Sequence, residues 1–403
     1  MSNEFQFDLF DPKQTQNMWD LMAEMRQKCP VANPAEGFSY TARYDDTERV
    51  FRDAKVFSCA GGFRAAGVEV PVDELFLAEM DPPLHPKLRK FLLRFFNPGM
   101  ALKAESFTRS YVGGLFDQIA ARGHGNIVSE LSTPVPVAVT GHVLGVPLED
   151  IPTLAERLFA LLHTDWPAYG LKDRTHPGEA VDLEGSAPEL TTYFDQMIDA
   201  RRNGDVVADD LIAQLVATQV DGEWLTNRRI RSLAINFLTA GLSTTNLISN
   251  LLYRLMTSED FDRTLRTDRE VIPAAVEESL RFEPPVLFLF RTVKEDTEIA
   301  DRLLPEGERV VMGIASANRD ESIYQDADEF RINPTDPEHL AFGAGAHLCL
   351  GNHMARMEGR VVVEEYLNRF GAGELRLSPE YEYELMPHFL EYGPERLDVV
   401  IDR

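Results

Sequence analysis

Cys349 lies in the stretch AFGAGAHLCLG, residues 341–351, with Gly343 and Gly345 before it and Gly351 after it. Beyond it, NHMARMEGRVVVEEYL carries Met354, Met357, Val361 and Tyr366 among apolar positions at roughly helical spacing, which predicts a helix. A thiolate at a helix start is favoured by the positive end of the helix dipole and by free backbone N–H donors. The glycines let the backbone approach something flat and bulky where a side chain would collide. Such a loop suits the presentation of one sulfur anion to a metal. A lone cysteine can also be a small buried hydrophobe. His347, Cys349 and His353 lie close enough in sequence to suggest zinc, but a structural zinc site wants four ligands and no partner pair is visible. A single axial thiolate to a haem iron uses the glycines as well as the sulfur.

Other stretches carry chemistry too. Residues 81–96, DPPLHPKLRKFLLRFF, predict an amphipathic helix with Leu88, Phe91, Leu92 and Phe95 on its apolar side. Lys87, Lys90 and Arg94 occupy the other side, and His85 and Arg89 stand one turn apart. The longest helical pattern runs from about Thr226 to Met256, roughly 45 Å at ~1.5 Å per residue. Its middle, Ala240-Gly241-Leu242-Ser243-Thr244-Thr245, is a weak point. Glycine costs ~1 kcal/mol against alanine there, and Ser and Thr bond back to the preceding turn. That is either a kink where another helix packs close, or room for a ligand with a hydroxyl offered to it. Glu270 to Arg281 predicts a helix on which Glu278 and Arg281 share a face. VLFLFRTV, from Val286, reads as a buried strand.

These motifs together resemble the cytochrome P450 superfamily of the soluble bacterial type. FGAGAHLCLG is similar to its haem-binding loop at Phe342, Gly343, Gly345, His347, Cys349 and Gly351. DPP followed by His85 and Arg89, Glu278-x-x-Arg281, and Arg291 after the strand fit as well, so the resemblance covers at least residues 81–352. Ala240, Gly241 and Thr244 match the oxygen-activation motif, but Ser243 stands where the family has an acid. The resemblance implies haem b with Cys349 as iron ligand, bordered by Phe342, Gly343, Ala240 and Gly241. His85, Arg89, Arg291 and His347 would meet its propionates. Thr244, with Ser243 and water, would guide protons, and Glu278 with Arg281 would be a structural pair.

The fold so implied is mainly α with small β-sheets (α+β), a single domain over residues 1–403 with a long central helix over the haem. The interruption between Thr164 and Pro188 resembles the lid region. The implied reaction inserts one oxygen atom of O2 into a small apolar organic substrate, by hydroxylation or epoxidation. Electrons would come from an external ferredoxin-type partner, since no flavin or nicotinamide fingerprint is evident. Lys87, Lys90, Arg94, Arg356 and Arg360 could form its basic docking patch. Phe237, Val286, Leu287, Phe288, Leu289 and Phe389 suggest an apolar substrate pocket. Two other readings are a peroxide-driven or otherwise atypical haem-thiolate enzyme, given Ser243, and a non-catalytic haem- or partner-binding protein.

Composition frames these expectations. The 403 residues are 44% hydrophobic and 26% charged, as in globular proteins. A net charge of −26 argues against nucleic acid and anionic membrane as partners. The N-terminus lacks the basic and apolar regions of a signal peptide, and no run of about 18 apolar residues occurs. Three cysteines, Cys29, Cys59 and Cys349, make no disulfide framework, so a cytoplasmic location is expected.

Overall fold

The computed structural model describes residues 18–34, 37–60, 62, 70–160, 185, 187–332, 338–386 and 390–402. In chain order the elements are α1 (Met18–Lys28), β1 (Val31–Ala32), β2 (Phe38–Thr41), α2 (Tyr44–Arg52), β3 (Phe57–Ser58), α3 (Leu84–Leu92), α4 (Pro98–Arg122), β4 (His124–Asn126), α5 (Pro134–Leu144) and α6 (Ile151–Ala160). After these come α7 (Pro188–Arg202), α8 (Leu211–Val216), β5 (Gln219–Val220), β6 (Glu223–Trp224), α9 (Asn227–Gly241), α10 (Thr244–Thr257), α11 (Glu259–Thr267) and α12 (Ile272–Phe282). The last part holds β7 (Leu289–Val293), β8 (Thr297–Ile299), β9 (Arg302–Leu304), β10 (Arg309–Met312), α13 (Ile314–Ala317), α14 (Asn352–Arg369), β11 (Leu375–Leu377) and β12 (Asp398–Ile401). The architecture is mainly α with small sheets, as expected.

Local sequence explains where the helices begin and end. The Asn97 side chain accepts from Met100 N at 3.1 Å, Pro98 fills the first turn, and Gly123 closes α4 at φ 78°. The apolar faces of α3, α4, α5, α9, α10, α12 and α14 share one core, which includes Leu88, Phe116, Leu233, Ile248, Val276 and Val361. A five-stranded sheet, ordered β1-β2-β10-β7-β3, lies to one side. It is antiparallel except where β10 runs parallel to β2 with Val311 opposite Tyr40. A second sheet, β11-β12-β4, joins the C-terminal segment to the end of α4.

Two sequence expectations are corrected. The expected continuous helix from Thr226 to Met256 is two helices, α9 and α10, because the ladder opens at Leu242 and Ser243. The expected strand from Val286 begins only at Leu289, and Val286 itself makes one isolated bridge, with Glu391. An unbroken apolar run marks burial without marking where β pairing starts.

Candidate active site

Cys349 stands three residues before α14, and its loop is shaped by two left-handed glycines. Gly343 has φ 67° and Gly345 φ 70°. A Cβ on either would come to 3.0 Å from α2, meeting the Phe51 ring at one and Arg52 Cα at the other. The glycines therefore serve the packing of the loop on α2, a role that the sequence expectation did not include. Cys349 N donates to Phe342 O at 2.8 Å and Leu348 N to Gly345 O at 3.2 Å, which fixes the turn carrying the sulfur. Burial raises the Cys349 thiol above its ordinary range. The N–H groups of Gly351 and Asn352 and the charges of Arg89 and Arg356 act the other way.

The four expected anion clamps come together. His85 and His347 stack with ring centroids 3.8 Å apart. Arg89 donates to the carbonyl of Leu348, next to the cysteine. Arg291 is buried and donates to Phe290 O at 2.8 Å. Burial lowers His347 to about 3, helped by His85, Arg291 and Arg89. Burial, then Arg89, lowers His85 to about 4, with Asp81 opposing. Burial also lowers both arginines. Among the described residues, Nε2 of His85 is buried without a hydrogen-bond partner. Four convergent cationic or N–H donors with one unsatisfied nitrogen fit an anionic carboxylate edge. A sulfur donor stands beside them, so the residues present fit a haem.

At the break in the central helix, Thr239 Oγ1 bonds back to the carbonyls of Ile235 and Asn236 at 3.0 and 3.1 Å. The backbone then tightens, with Leu242 N bonding Thr239 O and Thr245 N bonding Leu242 O. Gly241 packs against α5, where a Cβ would lie 3.1 Å from Thr140 Oγ1. The close-packing reading of the weak point thus holds at Gly241, while its neighbour Ala240 is exposed. Thr244 opens α10 and is 9% exposed. Ser243 Oγ donates to Glu391 Oε1 at 3.2 Å, and the Asn246 amide donates to Oε2 at 3.4 Å. Sequence reasoning missed Glu391, an isolated acid with no motif around it.

Glu278 and Arg281 form a buried two-pronged pair, both contacts 2.7 Å. Arg281 also donates to the carbonyls of Asn318, Ala327 and Glu329, and Glu278 accepts from Arg331 N. The Asn318 side chain in turn accepts from Leu340 N at 2.7 Å. The pair thus ties α12 to the segment that leads into the cysteine loop.

The apolar candidates separate. Leu287 and Phe288 are 2% exposed and packed with Met18, Met22 and Met25 of α1, which makes them core. Phe237 leans on Phe96 with centroids 5.0 Å apart. Val286 and Leu289 are half-buried. Phe389 and most of the expected lid region lie outside the described residues. Phe342 packs its ring under Arg356 at 4.5 Å. His353 lines a groove with Pro98, Leu102, Pro273 and Glu277, whereas His347 stacks on His85. Among the described residues no group of three or more His, Cys, Asp or Glu could hold a metal ion.

The expected basic patch is largely spoken for. Lys87 pairs with Asp221. Arg356 pairs with Glu277 at 2.7 Å, and Arg360 pairs with Glu105 and Glu364 at 2.6 and 3.0 Å. Lys90 and Arg94 are exposed. No described helix is long and apolar enough to cross a membrane.

Comparison with known proteins agrees with this geometry. The family model described as Cytochrome P450 matches residues 12–383. Cytochrome P450 130 of Mycobacterium tuberculosis is 34% identical over 92% of this chain and 91% of its own length. The steroid C26-monooxygenase of Mycolicibacterium smegmatis is 32% identical, covering 93% and 90%. Two solved structures superpose with a TM-score of 0.85. They are CYP109Q5 from Chondromyces apiculatus, at 31% identity with 98% of both chains covered, and CYP109E1 from Bacillus megaterium in complex with testosterone, at 29% identity with 97% and 99% covered. By the family match over most of its length and by relatives above 30% identity, the chain belongs to the cytochrome P450 family of monooxygenases.

Proposed function

We propose that this chain binds haem b through Cys349 and inserts one oxygen atom of O2 into a small apolar organic substrate, with electrons from a separate ferredoxin-type protein. The observation that carries the reading is the juxtaposition of Cys349 with the donor cluster of His85, Arg89, Arg291 and His347. Haem held this way supplies dioxygen activation, which thiolate ligation favours. The chain's own residues do the rest. Arg291 and Arg89 neutralise the carboxylate edge, and the two neutral imidazoles add N–H donors without more charge. The Gly351 and Asn352 N–H groups favour the anionic sulfur, against the burial that raises the thiol. Thr244 places a hydroxyl at the start of α10, beside the exposed Ala240. Half-buried Val286 and Leu289 favour an apolar substrate. The steroid C26-monooxygenase and the testosterone-bound relative support a substrate of that kind. A single-domain reading of residues 1–403 accords with one main core shared by helices from both halves of the chain.

The test is the reduced carbon monoxide complex. Wild type should show the strongly red-shifted Soret band of thiolate ligation, and Cys349→Ala should lose it. Persistence of the band in the variant refutes Cys349 as ligand. Product formed with O2 and a ferredoxin system, against product formed with peroxide alone, separates a monooxygenase from a peroxide-driven enzyme. No product with either marks a binding protein.

A further inference from the structure

We propose that Glu391 provides, through the Ser243 hydroxyl, the carboxyl that holds and delivers protons at the break in the central helix. The proposal rests on the functional reading above and names a residue for a task that the helix itself leaves without an acid. Ser243 Oγ and the Asn246 amide each donate to one carboxyl oxygen of Glu391, at 3.2 and 3.4 Å. Both donors flank Thr244, so the acid is anchored to the first turn of α10.

The carboxyl is held from behind as well. Leu287 N donates to Leu390 O at 2.8 Å, Tyr392 N to Pro285 O at 3.1 Å, and the Asn250 amide to Tyr392 O at 3.2 Å. The backbone is therefore pinned on both sides of Glu391. Gly393 completes the fit, because a Cβ there would stand 2.4 Å from Asn246 Oδ1. Among the described residues no Lys or Arg pairs with Glu391, which is 9% exposed. The charged groups on the neighbouring elements, Arg254 and Glu283, are bonded to each other at 2.9 Å. Burial pushes the Glu391 carboxyl up to about 7, and the Ser243 and Asn246 hydrogen bonds act against it. An acid that is part protonated near neutrality, within hydrogen-bond reach of a hydroxyl, is suited to proton transfer.

In the step envisaged, the Glu391 O–H gives its proton to Ser243 Oγ as the Ser243 O–H passes its own proton towards the Thr244 side. A proton from solvent then restores the carboxyl. No carbon bond changes and no electron moves. Glu391 acts through Ser243, and is a positioning residue.

The experiment compares three holoenzymes: wild type, Glu391→Gln, and Ser243→Asp combined with Glu391→Gln. Glutamine keeps the size and the acceptor oxygen but cannot exchange a proton. It should cut product formed per electron consumed by about tenfold or more and raise the solvent deuterium isotope effect, while the thermal midpoint stays close to that of wild type. Placing the acid on the helix with Ser243→Asp should recover most of the lost coupling. Independently of turnover, the infrared difference between wild type and Glu391→Gln at pH 6 should contain a protonated-carboxyl band that belongs to Glu391. Unchanged coupling in Glu391→Gln, absence of that band from the difference between the two proteins, or a loss of coupling that follows thermal stability and is not recovered, overturns the proposal alone. A wild-type enzyme that makes no product overturns the functional reading and this proposal with it.

Discussion

His85 and His347 stack almost in parallel, their ring centroids 3.8 Å apart and their planes 20° from coplanar. One belongs to α3 and the other to the loop before the cysteine, so the stack locks the loop to α3. Burial and neighbouring cations hold both imidazoles neutral, at about 4 and about 3, and the charge of the cluster rests on Arg89 and Arg291. Arg291→Ala removes a buried cation and should speed haem loss to an excess of a haem acceptor by about tenfold or more, the worth of one hydrogen bond to a charged group. His347→Ala, which loses the stack but no charge, should give a smaller increase. Equal rates in wild type and Arg291→Ala would contradict its role as an anion clamp.

The Glu278–Arg281 pair makes a second prediction. Both side chains are nearly inaccessible, and Arg281 spends its remaining donors on three backbone carbonyls. Arg281→Ala strands a buried carboxylate and those carbonyls together, and should cost about 3–5 kcal/mol of stability. Arg281→Ala/Glu278→Ala removes the stranded charge, and should recover part of that loss without restoring wild type. Urea unfolding of the three proteins measures the ordering, and a single variant more stable than the double would contradict it.

The parts of this site legible in the sequence are those whose chemistry is local. Cys349 before a predicted helix, Glu278 three residues before Arg281, and Ala240-Gly241 within a helical pattern carry their spacing in a few residues. Glu391 was hidden because its partner Ser243 is 148 residues away and no pattern surrounds it. Gly343 and Gly345 could be read as positions needing glycine, but the element pressing on them, α2, lies some three hundred residues earlier. Leu287 and Phe288 show the remaining ambiguity, since an apolar run looks the same whether it lines a pocket or fills a core.

Ion pairing divides the basic residues near the cysteine loop into two classes. Arg360 is bonded to Glu105 and Glu364, bridging α14 to α4. Arg94 is exposed, its guanidinium 5.8 Å from the Phe91 ring. Charge reversal at Arg94 should therefore slow reduction by an acidic ferredoxin and flatten its salt dependence, because an exposed charge acts chiefly on encounter. Arg360→Glu should instead lower the thermal midpoint, by setting three carboxylates against one another. Stopped-flow reduction over a salt series, with a melting curve for each variant, distinguishes these outcomes. An unchanged rate and salt slope for Arg94→Glu would remove Arg94 from the docking surface.

Glu358 is buried inside α14, its Oε2 has no hydrogen-bond partner among the described residues, and burial pushes its carboxyl up to about 8. Unfolded, it returns to the ordinary carboxylate value of 4.5. Between 4.5 and about 8 the folded chain therefore keeps a proton that the unfolded chain gives up, and this residue's contribution to stability falls as pH rises through that window. Below 4.5 both states are protonated and the effect vanishes. Glu358→Gln is neutral at every pH, nearly the same size, and should behave like the protonated acid. Its thermal midpoint should match wild type near pH 4.5 and exceed it by several degrees at pH 8, leaving a flatter profile of melting temperature against pH. Parallel profiles for the two proteins would show that Glu358 finds a partner for its charge in the folded state.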